Sequence, residues 1–438
     1  MSLVSNLSGF KNGKKQFDVV IYGATGFTGH YVVERLVASK YYHEVNFAIA
    51  GRNEGKLRQV LEKVSGKTGI DIYGTPMIIA DSSDPDSLAR MAQQAKVIIN
   101  TVGPFTLYGE AVLRAAIENR AHHVDITGEY PWVEKMKLKY EHQAKENGVY
   151  IVSCCAFDSI PADLGVNFLK KNFGGDLNHV EAFMQIIPGP DGYALNDGTY
   201  QTIVGSMGEY ATKMLSSGSK LMPRRIVKGS VKPPFRMPIS KIDEAELDGY
   251  ALPFPTTDQT IVDWSQYNDA TVKDRRPIHI KTYIRVPSVS LAVGLGLWSS
   301  AISVLAVIPC TKRLLQKYPD EVSFNLFKRD GPTEAQINGS GFTYTFFGYG
   351  YQEQKPNGEV HLGRPDRKVV ARCTGPDPGY MATSGCIISS ALTILKDVQN
   401  MPEEGGFYTP TAAFGDSKIY EFLESFGVKY EVLSERNL

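Results

Sequence analysis

The feature that most constrains this chain is a short apolar strand that breaks into three spaced glycines and then a helix. Residues 17–22, FDVVIY, lead into Gly23-Ala24-Thr25-Gly26-Phe27-Thr28-Gly29, and HYVVERLVAS follows from His30. The G-x-x-G-x-x-G spacing puts glycine where a strand turns tightly, where backbone must approach a pyrophosphate, and where a helix packs on a strand. The helix N-terminal amides would then receive the phosphates. Five more strand candidates follow at regular intervals: VNFAIAG, PMIIAD, KVIINTVG, HHVDITG and VYIVSCCAF, separated by helical stretches such as EAVLRAAIENR. Apolar runs between amphipathic helices are what a parallel sheet covered on both faces requires. The fold class expected is therefore α/β, a Rossmann-type doubly wound parallel sheet, with an inserted α+β domain. Later runs, EAFMQII, IHIKTYIRV, FTYTFFGYGYQ and KVVARCTG, suggest an antiparallel sheet for that second domain. The division expected is 1–170 for the nucleotide domain, 171–375 for the second, and 376–438 for C-terminal helices that return to the first.

The end of the second strand selects the cofactor. An NAD enzyme places a carboxylate there for the ribose 2'-hydroxyl. This chain has Gly51-Arg52-Asn53 instead, with Lys56 one turn into the next helix. A guanidinium fork suits a 2'-phosphate, so NADP(H) is favoured over NAD(H). Asp81 ends the third strand, where an adenine edge would lie. Thr101-Val102-Gly103 ends the fourth, near the diphosphate and nicotinamide.

The chemistry is less explicit. The one Tyr-x-x-x-Lys pair, Tyr351 to Lys355, sits at a strand end before Pro356-Asn357-Gly358, outside any helix, and one such pair is what chance supplies. His122-His123-Val124-Asp125 alternates along a strand without further ligands nearby and reads as strand-end structure rather than a metal site. Cys154 and Cys155 lie in an apolar run, where cysteine is usually a small buried hydrophobe. The catalytic candidates are Tyr108, Asp125 and Asp158, with Glu129 and Ser159 beside them; all follow strand C-terminal ends and would converge on the nicotinamide edge.

Composition excludes several classes. With 47 basic and 47 acidic residues, the chain has no net field for nucleic acid, and no basic tail supplies one. Five cysteines without a C-x-x-C suit a reducing compartment. The first residues, MSLVSNLSGFKNGKKQFD, lack the apolar core of an export signal and the Arg-rich pattern of a transit peptide. One anomaly stands out: Val286 to Cys310 is a run of 25 residues without a charge. As a helix, Ser288 to Pro309 would reach about 33 Å, enough to cross a hydrocarbon core of about 30 Å. Three readings remain open. The run is an interfacial hairpin broken near Gly294-x-Gly296 or Ser299-Ser300, a buried core or dimer-interface helix, or a true span.

Taken together, VVIYGATGFTG, the AGR at 50–52, NTVGPF at 100–105, VDITGE at 124–129, CAFDSIPADLG at 155–165, GPTEAQINGSGF at 331–342, GPDPGYMAT at 375–383 and the closing YTPTAAFG resemble the saccharopine dehydrogenase-like oxidoreductases. That family is similar to saccharopine reductases and, more distantly, to trans-acting enoyl reductases of bacterial lipid synthesis. The resemblance covers nearly the whole chain. It implies a Rossmann domain with an inserted α+β domain and nicotinamide-cofactor chemistry, and it associates the uncharged run with lipid-droplet or membrane localisation. It does not imply saccharopine as the substrate, because a lysine-glutamate adduct calls for convergent arginines. Arg224, Arg225, Arg275, Arg276 and Arg285 in the middle region do not announce such a set.

The resulting expectation is an NADP(H)-dependent oxidoreductase acting on an apolar carbonyl or alkene. It would meet the cytosolic face of a membrane or lipid droplet through 286–310, with a plain cytoplasmic location as the fallback and room for a homodimer. The alternatives are a non-catalytic lipid-surface protein that keeps the cofactor fold as a scaffold, and a saccharopine-type amino-acid dehydrogenase.

Overall fold

The computed structural model describes residues 15–215, 220–253 and 257–438; the reading of the first 14 residues as free of a targeting signal lies outside the described residues. The glycine-bearing strand opens an unbroken alternation: β1 (Phe17–Tyr22), α1 (Phe27–Val37), β2 (Phe47–Gly51), α2 (Glu54–Thr68), β3 (Met77–Ile79), α3 (Pro85–Gln94), β4 (Ala95–Asn100), α4 (Phe105–Glu118), β5 (His122–Asp125), α5 (Tyr130–Glu146), β6 (Tyr150–Val152) and α6 (Ile160–Asn172). In β1, Val19 and Ile21 enter one apolar core while Val20 and Tyr22 enter another on the opposite face. That two-sided burial is why the strand is apolar throughout rather than alternating.

The chain continues through β7 (Asp176–Ile187), β8 (Leu195–Asn196), α7 (Asp197–Leu215), β9 (Ser240–Lys241), β10 (Tyr250–Pro253), α8 (Thr257–Thr271), β11 (His279–Val286), α9 (Val289–Val307), α10 (Pro309–Lys317), α11 (Pro319–Val322), β12 (Phe327–Lys328), α12 (Glu334–Gly339), β13 (Gly341–Tyr351) and β14 (Arg367–Pro376). It closes with α13 (Thr383–Lys396), β15 (Gly406–Tyr408), α14 (Pro410–Phe414), α15 (Ile419–Ser425) and β16 (Lys429–Asn437). The first sheet has the order β3-β2-β1-β4-β5-β6-β15 and is parallel throughout. The second has the order β16-β14-β13-β7-β11-β10-β9.

Two expectations are corrected here. The second sheet is mixed, because β7 and β11 pair in parallel; the long connection between them, which carries α7 and α8, gives the crossover that parallel pairing needs. The C-terminal segment is also more than helices returning to the first domain. α13 packs against α1 and β4, and β15 extends the first sheet, but β16 forms the edge of the second.

The uncharged run also departs from expectation. α9 passes through Gly294, Gly296, Ser299 and Ser300 without a break; the turn comes at Ile308 and Pro309, where α10 begins. Ser299, Ser300 and Ser303 donate their hydroxyls to the carbonyls of Leu295, Gly296 and Ser299, so the helix carries its own partners for these groups. Nor is α9 a buried core helix within the chain. Only Ala292, Ile302 and Ala306 are buried, while Leu297 is 68% and Val304 65% exposed. Val289–Val307 and Pro378–Lys396 are both long and apolar enough to cross a membrane, but the second is mostly buried in the core.

Candidate cofactor and substrate site

The turn after β1 shows why each glycine is there. Gly23 has φ +90°, and a Cβ on it would lie 2.6 Å from Thr101 Oγ1. A Cβ on Gly29 would lie 2.1 Å from the Gly23 carbonyl oxygen, so only glycine lets α1 sit on the turn. Gly26 differs. It is the N-cap of α1 in extended backbone, with one atom, Gly23 O at 3.2 Å, near its missing Cβ. Ala24 is buried and braces the turn, while Thr25 and Gly26 are exposed and leave the approach open.

The helix ends discriminate the anion site. Asn53 caps α2 by accepting from Lys56 N, and Asp84 caps α3. Glu129 occupies the start of α4, accepting from Phe105 N at 2.7 Å and Thr106 N at 2.9 Å. α1 and α4 both lack a cap of their own and an acidic residue in the first turn, but α4 has Glu129 on its first two amides, and α1 has no such acceptor among the described residues. Its amides at Phe27 and Thr28 and its positive dipole end are therefore uncompensated, which fits a dinucleotide pyrophosphate.

Around this cradle the expected residues divide. Arg52 and Lys56 are exposed past the end of β2. Among the described residues the Arg52 guanidinium has no hydrogen-bond or ion-pair partner, and its charge, after the Ser83 hydrogen bonds, helps hold Asp81 below the usual carboxylate range. Asn53 is committed to its cap. Asp81 shapes the turn after β3, accepting from Ser83 N and Oγ through Oδ1. Thr101 donates to Tyr22 O, Val102 N donates to Asn100 Oδ1, and Gly103 is exposed at the rim.

The catalytic candidates do not converge as expected. Asp125 is fully buried and accepts from Thr127 N, Cys154 N and Ser153 Oγ, tying β5 to β6. Burial pushes its pKa up to about 6, but the group faces protein on every side. Its spacing after the strand suggested a reactive acid; the carboxylate instead holds the loop. Tyr108 is exposed on the first turn of α4. Cys154 and Cys155 are buried, and burial raises both thiols.

Asp158 is different. Its side chain is exposed, yet desolvation by the surrounding protein raises its pKa. Among the described residues its carboxyl has no hydrogen-bond partner. Its backbone carbonyl accepts from Thr257 Oγ1 at 2.8 Å, which joins this loop to α8. The charge of Asp158 falls on Tyr193, Asp258 and Tyr344 of the second domain. Tyr193 in turn feels Asp377 and Tyr380.

Sequence reasoning missed Tyr193, Asp377 and Tyr380. Asp377 accepts from Tyr380 N and Met381 N through Oδ1, while its buried Oδ2 has no partner; burial lifts its pKa to about 6. Tyr380 packs on Phe27 of the glycine turn with ring centroids 4.7 Å apart, and its hydroxyl accepts from Asn196 N. Phe27 also lies against Gly331, where a Cβ would come within 2.4 Å of its ring. A signal was present: Gly-Pro-Asp-Gly-Tyr at 189–193 and Gly-Pro-Asp-Pro-Gly-Tyr at 375–380 are near copies, and the hydrogen bond from Asn196 N to the Tyr380 hydroxyl ties the two segments together.

No lysine or arginine is among the charges that act on Asp158, Tyr193, Asp258 or Asp377. The middle-region arginines point elsewhere. Arg275 pairs with Asp416, Arg276 donates to the carbonyls of Glu359 and Pro356, Arg285 donates to Asp248 O, and Arg224 and Arg225 are exposed.

A glycine cradle at an uncapped helix and an exposed cation past β2, both at the strand ends of a doubly wound parallel sheet, define a dinucleotide-binding protein of Rossmann architecture. A family model described as the saccharopine dehydrogenase NADP binding domain matches residues 19–152. A lipid droplet localized protein of Caenorhabditis elegans is 54% identical, covering 97% of this chain and 100% of that protein. A human saccharopine dehydrogenase-like oxidoreductase is 35% identical over 96% of this chain and 98% of its own. The apo saccharopine dehydrogenase (L-Glu forming) of Saccharomyces cerevisiae shares the fold with TM-score 0.51 at 13% identity, covering 95% of this chain and 99% of the yeast protein. The chain belongs to the saccharopine dehydrogenase-like oxidoreductase family, and its cofactor is NADP(H).

Proposed function

We propose that this chain transfers hydride between NADP(H) and an apolar carbonyl or alkene that it meets at a lipid-droplet or membrane surface. Bound NADP(H) supplies or accepts the hydride; the protein orients the partners and manages the proton. Phe27 to Gly29 and Arg52 would hold the pyrophosphate and the 2'-phosphate, with Lys56 adding charge. Asp158 would face the reacting group.

The observation that carries the lipid reading is α9. Nineteen residues without a charge lie mostly exposed on a chain that also carries a cofactor cradle. Exposed apolar area of that extent on a water-facing surface marks an interaction site. Trp298 Nε1 donates to Val322 O, and Ile302 and Ala306 pack with Tyr200 and Val204, so the helix is fixed on one side and bare on the other. Lys312, Arg313 and Lys317 follow on α10, which is the pairing of apolar and basic residues that suits an interface. The name of the Caenorhabditis elegans relative supports the same location. A saccharopine-type substrate is disfavoured, because no lysine or arginine acts on Asp158, Asp258 or Asp377 that could receive its carboxylates.

The test is to incubate the protein with NADPH carrying deuterium at the nicotinamide C4 and a lipid extract, and to follow the label by mass spectrometry. Label in a neutral lipid fraction is expected. Tight NADPH binding without label in any fraction would sink the enzyme reading and leave a cofactor-binding scaffold.

A further inference from the structure

We propose that Tyr193, on the loop between β7 and β8, is the proton donor to the oxygen of an uncharged carbonyl substrate, with Asp158 facing it from the nucleotide domain. The assignment rests on the oxidoreductase reading above and adds the residue that completes the site from the second domain.

The loop is built to hold Tyr193 still. Gly192 has φ +80° and donates its amide to Gly189 O. On the other side Ala194 is buried, Leu195 N donates to Leu326 O at 2.7 Å, and Asn196 N donates to the Tyr380 hydroxyl at 2.6 Å. Between these anchors the Tyr193 side chain is half-buried, and among the described residues its hydroxyl has no hydrogen-bond partner. A tyrosine placed for structure alone normally finds an acceptor when desolvated. The groups that act on Tyr193 are Asp377, Tyr380 and Asp158, with the unpartnered Oδ2 of Asp377 buried beside the cluster. Burial and these acids keep the phenol protonated. Asp158, exposed and with no hydrogen-bond partner for its carboxyl among the described residues, follows Phe157, whose amide donates to Thr383 Oγ1, and Thr383 in turn donates to Pro378 O beside Asp377. Tyr193 therefore offers an O–H to a ligand oxygen, and the acids around it would repel a carboxylate.

Reduction of a carbonyl to an alcohol consumes one hydride, which bound NADPH supplies as it becomes NADP+, and one proton. The proton comes from Tyr193: its O–H bond breaks as the new O–H bond forms on the substrate oxygen. Asp158 or solvent returns a proton to the phenolate, and the site is restored.

Tyr193→Phe keeps the ring and removes only the hydroxyl donor. In the full chain loaded with NADP+, binding of decanamide, an inert carbonyl probe, is expected to weaken about five- to tenfold in Tyr193→Phe, the effect of one neutral hydrogen bond. NADP+ affinity should be unchanged. Decanal reduction by NADPH should slow by about 100-fold or more. Equal decanamide affinity in wild type and Tyr193→Phe, or none in the wild type, overturns the assignment. Undiminished decanal turnover by Tyr193→Phe overturns it as well, and leaves the oxidoreductase reading intact. Tyr193-dependent binding without any hydride transfer would refute the oxidoreductase reading and retain the carbonyl site.

Discussion

Two glycines in one turn should fail in different ways when each becomes alanine. At Gly26 the backbone, φ −76° and ψ 164°, suits any residue, and the added methyl meets only Gly23 O at 3.2 Å. Moving that oxygen by a few tenths of an ångström, with alanine replacing a better N-cap, costs about 1 kcal/mol or less. The methyl, however, fills the open approach to the first-turn amides. Each amide bond to a charged phosphate contributes about 1.5–3 kcal/mol, so losing one weakens NADPH by about 10- to 150-fold. At Gly29 the methyl lies 2.1 Å from Gly23 O, 2.8 Å from Gly23 C and 2.9 Å from Thr101 Oγ1, and two of these are backbone atoms that cannot rotate away. α1 must lift off the turn, and overpacking of this kind costs about 1–3 kcal/mol in stability. Thermal melts of the apo protein and NADPH fluorescence titrations separate the cases. Gly26→Ala should melt near wild type and bind weakly; Gly29→Ala should melt early with or without cofactor. Wild-type affinity in Gly26→Ala, or a melting loss equal to that of Gly29→Ala, would refute the assignment of Gly26 to the phosphate approach.

Arg52→Ala should weaken NADPH by about tenfold or more and leave NADH nearly unchanged, since the exposed guanidinium has no structural partner to lose; equal weakening in paired titrations removes the 2'-phosphate role. Leu297→Asp with Val304→Asp, both at exposed positions of α9, should leave the melting temperature in place and reduce co-flotation with lipid droplets by at least about tenfold, since each side chain would otherwise bury apolar area worth roughly 1–2 kcal/mol in the lipid. Retained flotation would move the lipid-facing surface elsewhere, and a monomer–dimer change on the same double variant would assign α9 to a second copy. Asp163 carries a pH signature. Burial lifts its folded pKa to about 7, so the folded state holds a proton that the unfolded chain releases from about pH 4 upward. Its contribution is fully favourable below about pH 4 and falls by about 1.4 kcal/mol per pH unit up to about 7. Asp163→Asn should flatten that part of the stability profile in urea titrations between pH 5 and 8; an unchanged slope would refute the burial argument.

How much the sequence reveals depends on whether the physics is local. The strands of the first sheet and the turn after β1 are legible because period, burial and glycine spacing act within a few residues. Asp125 misled for a related reason: a carboxylate at a strand's C-terminal end reads the same whether it meets a substrate or, as here, receives Thr127 N and Cys154 N. The grouping of Tyr193 with Asp377 and Asp158 was hidden because they come from three distant segments that only the tertiary fold unites. The parallel pairing of β7 with β11 was hidden likewise, since strand composition does not encode a partner across a long connection.

The late arrival of α13 and β15 has a consequence for how the protein is made. The glycine turn and all of the family-matched region, 19–152, leave the ribosome long before the helix that packs on α1 and β4. Thr383 Oγ1 accepts from Phe157 N, Asp163 accepts from Thr411 N, and Arg35 on α1 donates to Phe426 O. A nascent chain halted before these residues exposes the apolar surface they cover and lacks the wall on which its nucleotide helix rests. The segment from Thr383 onward thus supports the nucleotide-binding helix from behind as well as extending the first sheet.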